Sequence, residues 1–380
     1  MSNSFYQYDQ LVWKNNLSYY TTLNDKHHID ALVGYETHEY KRKYLSGSVK
    51  DFPNVDKHQI SNGANISGLS GSGDVGWRMI SYLGNANYNY DSKYYLGASA
   101  RIDGSSKLHR DSRWGTFWSA SAAWRVSSEE FIESLRDILS DLRLRVSYGS
   151  NGTLPSSNSS NIYLEYYGYM DLVGFGYAYN SKPGLREIQL GNRDLKWEKN
   201  YNLNIGVDFR LFDRVGATVE YYKRKTSDLL MDKDLSMVTG FSSILTNIGE
   251  VENQGVEVDI NADIVRNKAL TWTSSLNFGH NKNKIINLGG QEQIIGSYYI
   301  RKVGHAYHQY YVKEFAGINP ESGYPQYYIN DPDNPGDRSI TEDQNKANYI
   351  MYKSPDPKLS GGWSNSLRYK WFDLNFMFTY

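Results

Sequence analysis

Cysteine is absent from this chain of 380 residues, and only 9 residues are proline. Without cysteine the chain can have no disulfide framework, no thiolate metal site and no cysteine nucleophile. Long apolar runs are missing as well, because no stretch approaches the roughly 18 to 20 uncharged apolar residues that a transmembrane helix needs. These absences exclude a disulfide-stabilised domain and a helical membrane protein.

The chain also lacks a clear excess of charge of either sign, since its formal net charge is -1. The basic residues are scattered among acidic ones, so we expect no nucleic-acid partner. No His-Glu-x-x-His or Gly-x-Ser-x-Gly pattern occurs, and the histidines at 27, 28, 305 and 308 fall in turns and loops. The sequence therefore predicts a protein without enzymatic activity.

Aromatic residues are abundant, with 34 Tyr, 9 Trp and 13 Phe, and they favour strands and membrane-interface belts. Hydrophobic residues also alternate with polar ones at a period of two, as in 116–126, 142–148, 202–211 and 256–264. In 202–211 one face would carry Leu203, Ile205, Val207, Phe209 and Leu211, and the other Asn204, Asp208 and Arg210. One such strand alone would equally suit a soluble antiparallel sheet with one buried face.

The connections between these segments alternate between short and long. The short ones are expected at 24–26, 91–92, 213–214, 267–268 and 371–372, with a helical link within 129–140. The long ones are expected at 44–76, 103–115, 149–199, 224–254 and 283–361. Short turns on one rim and long loops on the other are typical of an outer-membrane barrel. We therefore predict an all-β fold, a transmembrane antiparallel β-barrel segment of about twelve strands with long extracellular loops and short periplasmic turns.

Several motifs resemble the barrel of SusC/RagA-type TonB-dependent transporters, and they occur in the order that this family uses. They are RIDGSSK at 101–107, RWGTFWSASAAWRVS at 113–127, EEF at 129–131, LRVSYG at 144–149, NRDLKWE at 192–198, YYKRKTSDLL at 221–230, NIGEVENQG at 247–255 and SPDPKLSGG at 354–362. The resemblance covers nearly the whole chain.

The resemblance implies that 1–380 is the barrel portion of a TonB-dependent (TonB-linked) transporter of the bacterial outer membrane. About twelve strands of a 22-stranded barrel would be present, while the N-terminal signal, the plug domain and the final strands would be absent. Such a transporter would import a glycan, an oligosaccharide or a peptide with a SusD-like surface lipoprotein, and would contact the TonB complex through the plug. Strand directions add the expectation that this segment cannot form a stable barrel in outer-membrane lipid alone.

Two other functions stay open from the sequence alone. A passive outer-membrane porin would share the barrel architecture. A secreted carbohydrate-binding β-sandwich would explain aromatic loops, but it offers no reason for short turns on one side and long loops on the other.

Tyrosines in two of the expected loops are candidates for substrate contact, because an aromatic ring can stack on a sugar or peptide while its hydroxyl forms a hydrogen bond. They are Tyr163, Tyr166, Tyr167, Tyr298, Tyr299, Tyr310, Tyr311, Tyr324, Tyr327 and Tyr328. Ordinary packing within the loops is the alternative. Trp114 and Trp197 are expected in an aromatic girdle.

The acidic loop 331–343 resembles a loop of the same family and, through it, an EF-hand ligand array. Asp331, Asp333, Asp337 and Asp343 would supply oxygen ligands for Ca²⁺. Pro335 and Arg338 interrupt the usual spacing, so a solvated turn without a cation is the alternative. No other cofactor is expected.

Overall fold

The alternating segments form strands in a computed structural model, which describes residues 1–53, 59–70, 74–155 and 162–380. In chain order the strands are β1 (Ser2–Leu23), β2 (His27–Lys50), β3 (Asn65–Ser70), β4 (Val75–Tyr90), β5 (Tyr94–Ser105), β6 (Trp114–Arg125), β7 (Leu139–Thr153), β8 (Leu172–Tyr179), β9 (Lys182–Gln189), β10 (Glu198–Leu211), β11 (Val215–Asp234), β12 (Ser243–Arg266), β13 (Leu270–Leu288), β14 (Gln293–Ile295), β15 (Tyr299–Lys302), β16 (Gln309–Lys313), β17 (Phe315–Ile318), β18 (Pro325–Tyr328), β19 (Ile340–Thr341), β20 (Tyr349–Met351), β21 (Ser360–Tyr369) and β22 (Phe372–Thr379).

Thirteen strands form one antiparallel sheet, which we call the wall. Its order is β1-β2-β4-β5-β6-β7-β10-β11-β12-β13-β21-β22, with β3 paired to the end of β2. Each wall strand pairs with the next wall strand along the chain, and the small strands between them lie in the loops. The expected number of about twelve consecutive wall strands is therefore confirmed.

Helix is scarce in the described residues. It consists of α1 (Ile162–Tyr167) and 3-10 turns at Ile60–Asn62, Val126–Ser128, Glu130–Leu135, Met237–Thr239 and Gln344–Lys346. None of the helices in the described ranges has the length and apolar character required to span a membrane.

The short connections lie along one rim, as predicted. At the first hairpin Asn24 and Asp25 have φ of 52° and 57°, the left-handed conformation that tight hairpin turns require and that these two residue types tolerate well. The link between β6 and β7 contains the expected helical turn, here Glu130–Leu135. The last turn is shifted by one residue, because Phe372 already begins β22 and the turn is formed by Lys370 and Trp371.

Two long loops are shorter than predicted. Strand β11 continues to Asp234 and β12 starts at Ser243, so most of the expected loop 224–254 is strand. Strand β2 likewise continues to Lys50, six residues beyond the expected strand end at Tyr44. The loop after β7 carries the small sheet β8-β9, and the loop after β13 carries β14-β15-β16-β20 and β17-β18-β19.

Candidate functional site

The polar rows of the wall face a concave cavity of 820 Å³. Residues of seven successive wall strands, from β1 to β10, line it, so the sheet must curve around it. Side chains that line the cavity from the polar row include His28, Asp30, Asn87, Arg145 and Asn204. This inner face of the sheet carries the polar residues predicted to face a lumen.

Charged residues pair with one another across the inner face. The Asp208 carboxylate on β10 accepts hydrogen bonds from the guanidinium groups of Arg143 at 3.0 Å and Arg145 at 3.1 Å, both on β7. Arg145 also reaches the Glu220 carboxylate at 2.8 Å, and the Thr218 hydroxyl donates to Asp208 at 2.9 Å. Each charge therefore has a partner of opposite sign, which limits the cost of placing it away from bulk water.

The opposite face carries an apolar belt. In the strand register Ile205 stands between Val146 and Tyr221, and Tyr221 stands next to Val256. All four side chains are more than a third exposed, although they belong to the interior strands of a large sheet. Such a continuous exposed belt is unfavourable in water and suits contact with lipid tails. The predicted outward row and inward row thus occupy separate faces.

Near the loops the inner face becomes apolar and packs against loop residues. Leu108 and Leu195 are fully buried there with Phe117 and Trp197. Trp197 is 6% exposed, its ring meets Phe117 edge to face at 5.4 Å, and its Nε1–H donates to the Arg113 carbonyl at 2.8 Å. The girdle position expected for Trp197 is therefore wrong. Trp114 is 51% exposed and stacks on Tyr82, as a rim aromatic would.

A second apolar cluster anchors the longest loop to the inner face. Met231, Val251, Ile285 and Leu288 are buried together, with Ile248, Ile294 and Tyr307 packed around them. The loop after β13 is thus attached to the wall near the ends of β11 and β13 and the first half of β12.

The first group of candidate tyrosines lies at α1, which covers part of the inner face. Tyr166 is 5% exposed and its ring is parallel to that of Tyr40 at a centroid distance of 6.2 Å. Burial, followed by the nearby Glu165 carboxylate, raises the pKa of Tyr166 well above its usual value. The Tyr167 hydroxyl accepts a hydrogen bond from the Gly76 amide at 3.3 Å. The side chain of Tyr163 is outside the described part of the structure.

The second group lies on the small sheets of the loop after β13. Tyr299 stacks on Tyr310 at 5.2 Å, and Tyr311 stacks on Tyr349 at 5.3 Å. Tyr298 and Tyr324 are exposed, Tyr327 contacts Phe315, and the Arg338 guanidinium lies 3.6 Å from the ring centre of Tyr328. These residues form several separate ring pairs, and their contact with substrate stays a prediction.

The acidic residues of 331–343 make local hydrogen bonds. Asp331 accepts from the Asp333 amide, Asp337 from Ser339, and Asp343 from the Asn345 amide. The Arg338 guanidinium binds Glu314 through two contacts of 2.8 and 2.9 Å and holds the pKa of that carboxyl below its usual range. Within the described ranges no three acidic or histidine side chains gather into a metal-binding group. Calcium binding by this loop stays a prediction.

One cluster at the loop end of the inner face was missed from the sequence. It comprises Tyr6, Tyr8, Tyr40, Arg42 and Trp77, which approach one another across β1, β2 and β4. The signal that could have revealed it is the alternation of large residues at 6 and 8 and at 40, 42 and 44. That alternation places them on one face, but only the strand register brings the two sets together.

Comparison with known proteins agrees with this architecture. The model of the family described as TonB dependent receptor-like, beta-barrel, matches residues 2–379. TonB-dependent receptor P39 of Formosa agariphila is 34% identical over 319 residues, which cover 83% of this chain and 30% of that protein. TonB-dependent receptor SusC of Bacteroides thetaiotaomicron is 29% identical, with 98% and 38% covered. The chain thus spans about a third of the length of these relatives.

The solved RagAB peptide transporter is similar in structure as well. Its superposition has a TM-score of 0.84 at 28% identity and covers all of this chain and 42% of the other. The open-open state of the RagAB peptide importer gives 0.85 at 27% identity.

Proposed function

The chain belongs to the TonB-dependent receptor-like β-barrel family, and from this premise we propose that it forms part of the wall of an energised importer. It is an outer-membrane protein, and its family is one of transporters and receptors, not of enzymes. The imported solute would be a glycan, oligosaccharide or peptide too large for passive porins. A SusD-like surface lipoprotein would assist capture, and the TonB complex would supply energy.

The observation that carries the proposal is the contrast between the two faces of one sheet. The inner face presents paired charges and a cavity of 820 Å³, while the outer face presents an apolar belt at Ile205 and its neighbours. A polar lumen within a lipid-facing wall provides a route for a water-soluble solute. Aromatic residues at the loop end add surfaces on which sugars or peptides can stack.

A passive porin shares the two-faced wall, so energy dependence separates the two functions. In the natural bacterium, the gene encoding this chain is deleted and uptake of labelled oligosaccharides and peptides is measured with and without a protonophore. We expect gene-dependent uptake that stops when the proton gradient is dissipated or when TonB is depleted. Gene-dependent uptake that continues without the gradient and without TonB would contradict the proposal.

The lipoprotein partner has its own test. Full-length transporter is purified from the natural outer membrane in mild detergent and analysed by size-exclusion chromatography and mass spectrometry. We expect a surface lipoprotein to co-elute at a fixed ratio. Recovery of the transporter without any lipoprotein, in an otherwise intact membrane extract, would refute this part of the proposal.

A further inference from the structure

The loop-end cluster of Tyr6, Tyr8, Tyr40, Arg42 and Trp77 is on the same face as the lumen cavity. Strands β1 and β2 pair without a register shift from the turn to their far end, and so do β2 and β4. Even-numbered residues of β2 therefore share the inner face, and these include both His28 of the cavity and Arg42. Arg42 is 15 residues beyond the start of β2, about 50 Å along the strand at roughly 3.3 Å per residue. It therefore lies at the loop end of the inner face.

Arg42 has unused hydrogen-bonding capacity. Its guanidinium carbon lies 5.2 Å from the ring centre of Tyr6 and 6.0 Å from that of Tyr8. Its Nε is shielded from solvent and has no hydrogen-bond partner among the described residues. A buried N–H without an acceptor is costly, so an acceptor supplied by a ligand would bind favourably.

The described carboxylates of Glu39 and Glu165 near Arg42 are engaged by other cations. Glu39 belongs to the odd-numbered row of β2, on the other face of the sheet from Arg42. Glu39 is already engaged by Lys41 at 2.9 Å and Arg78 at 2.8 Å. On the inner face, Glu165 of α1 is engaged by Lys107 at 3.0 Å. Among the described residues the Arg42 guanidinium therefore has no carboxylate partner, and its charge favours an anionic ligand.

Flat rings surround the guanidinium. Tyr6 and Tyr8 are 44% and 57% exposed, with ring centres 6.2 Å apart and planes 5° from parallel. Behind them Tyr40 stacks on Trp77 at 6.2 Å, and the buried Tyr166 of α1 covers Tyr40. Two adjacent exposed rings in almost parallel planes form a platform suited to the flat face of a sugar.

We propose that Tyr6, Tyr8 and Arg42 form a subsite for an acidic sugar unit, carboxylated or sulfated, of the imported oligosaccharide. The inference rests on the proposed import function and narrows its substrate class. The guanidinium pairs with the anionic group through its fork of N–H donors, while the tyrosines stack against the sugar ring. A peptide fits less well, because its backbone has no flat ring face to lie against the two tyrosines.

The test uses the full-length transporter with its lipoprotein partner and measures binding by calorimetry. The ligands are an oligogalacturonate, a sulfated galactan oligosaccharide, a neutral maltooligosaccharide and a glutamate-rich peptide of similar length. For Arg42→Gln we expect affinity for at least one acidic sugar to fall about 10- to 100-fold, because a charge-assisted hydrogen bond is lost. Arg42→Lys should retain part of that affinity, and added salt should weaken wild-type binding.

Arg186→Gln is the matched control, because Arg186 also lies over a tyrosine ring, that of Tyr177 at 4.4 Å, but on the β8-β9 hairpin. It should leave affinity unchanged. Unchanged acidic-sugar affinity in Arg42→Gln, or no acidic-sugar binding by wild type, would overturn the subsite. Dependence of the peptide alone on Arg42 would overturn the sugar assignment. Uptake of another solute with and without a protonophore is measured in parallel. If that uptake is sensitive to the protonophore while acidic-sugar binding is absent, the subsite fails but the import function stands.

Discussion

The inner face of the wall has two regions that are built from the same strands in opposite ways. Toward the turns it is polar, and Asp208 with Arg143, Arg145 and Glu220 satisfies its charges in pairs. Toward the loops it is apolar, and Phe117 is buried with Leu195 and Trp197 of the loop that follows β7. The first region resembles the lining of an aqueous channel, while the second resembles the core of a water-soluble domain.

The two regions differ because the membrane-facing and loop-end parts of each strand have different surroundings. Where the outer face is apolar, the wall is suited to lipid on one side and to a polar lumen on the other. At the loop end the sheet extends beyond the lipid. There apolar side chains of the inner face are removed from water by packing under loop segments. The membrane-facing region is therefore sensitive to added charge, and the loop-end region to lost volume.

The largest effect is expected for Trp197→Ala in the loop-end core. Removing a buried Trp side chain typically costs about 3 to 5 kcal/mol, and the hydrogen bond to the Arg113 carbonyl is lost as well. We expect the loops around 106–113 and 190–197 to lose hydrogen-exchange protection while the wall near the turns keeps it. Trp114→Ala, at an exposed site on a neighbouring strand end, is the control and should cost much less. Equal loss in both variants would mean that the loop end has no core of its own.

The next effect concerns charge on the lipid-facing side. Ile205 is six residues before the end of β10, which places it near the bilayer midplane in a tilted strand of about ten residues. Ile205→Arg should destabilise the full-length barrel by about 2 to 4 kcal/mol, measured by denaturant unfolding in lipid vesicles. Asn204→Arg, on the adjacent inner position, should cost much less because the lumen can hydrate the charge. A larger cost at Asn204 would invert the assignment of faces.

The same contrast explains how far the sequence predicted this fold. Alternation at 202–211 identified strand, period and faces correctly, because lipid on one side and polar groups on the other impose a local pattern. It failed within 224–254, where the pairing of β11 with β12 shifts register between Thr226 and Leu229 and Asp228 has a φ of 56°. This bulge interrupts the period of two, so the buried Met231 and Val251 do not stand out as one alternating row. Burial of Trp197 could not be predicted either, since its partners Leu108 and Phe117 are distant in sequence and no local pattern links them to it.

A smaller effect is expected in the polar region of the inner face. Asp208→Asn keeps the size of the side chain but leaves Arg143 and Arg145 without their shared carboxylate. Because these groups are partly exposed to the lumen, we expect a loss of only about 1 to 2 kcal/mol in the free energy of unfolding. High salt should reduce the difference between variant and wild type. A loss that matches Trp197→Ala and resists salt would show that this region is packed as tightly as the loop end.

The smallest effect concerns Glu198, which begins β10 at the loop end, outside the membrane-spanning part of the strand. Burial raises the pKa of its carboxyl, although the Leu230 amide, which donates to it at 2.7 Å, acts in the opposite direction. A raised pKa in the folded state means that the group favours folding at pH below its unfolded value of about 4.3, and that this contribution is lost as the pH rises through the folded value.

Glu198→Gln, which stays neutral, should remove that decline, a change below about 1 kcal/mol at neutral pH. Denaturant unfolding of full-length transporter at pH 4 to 8 measures it, with Glu130→Gln on the turn side as the control for loss of one charge. If the pH dependence of Glu198→Gln matched that of wild type, the carboxyl would be solvated and the loop-end region would be open to water at this position.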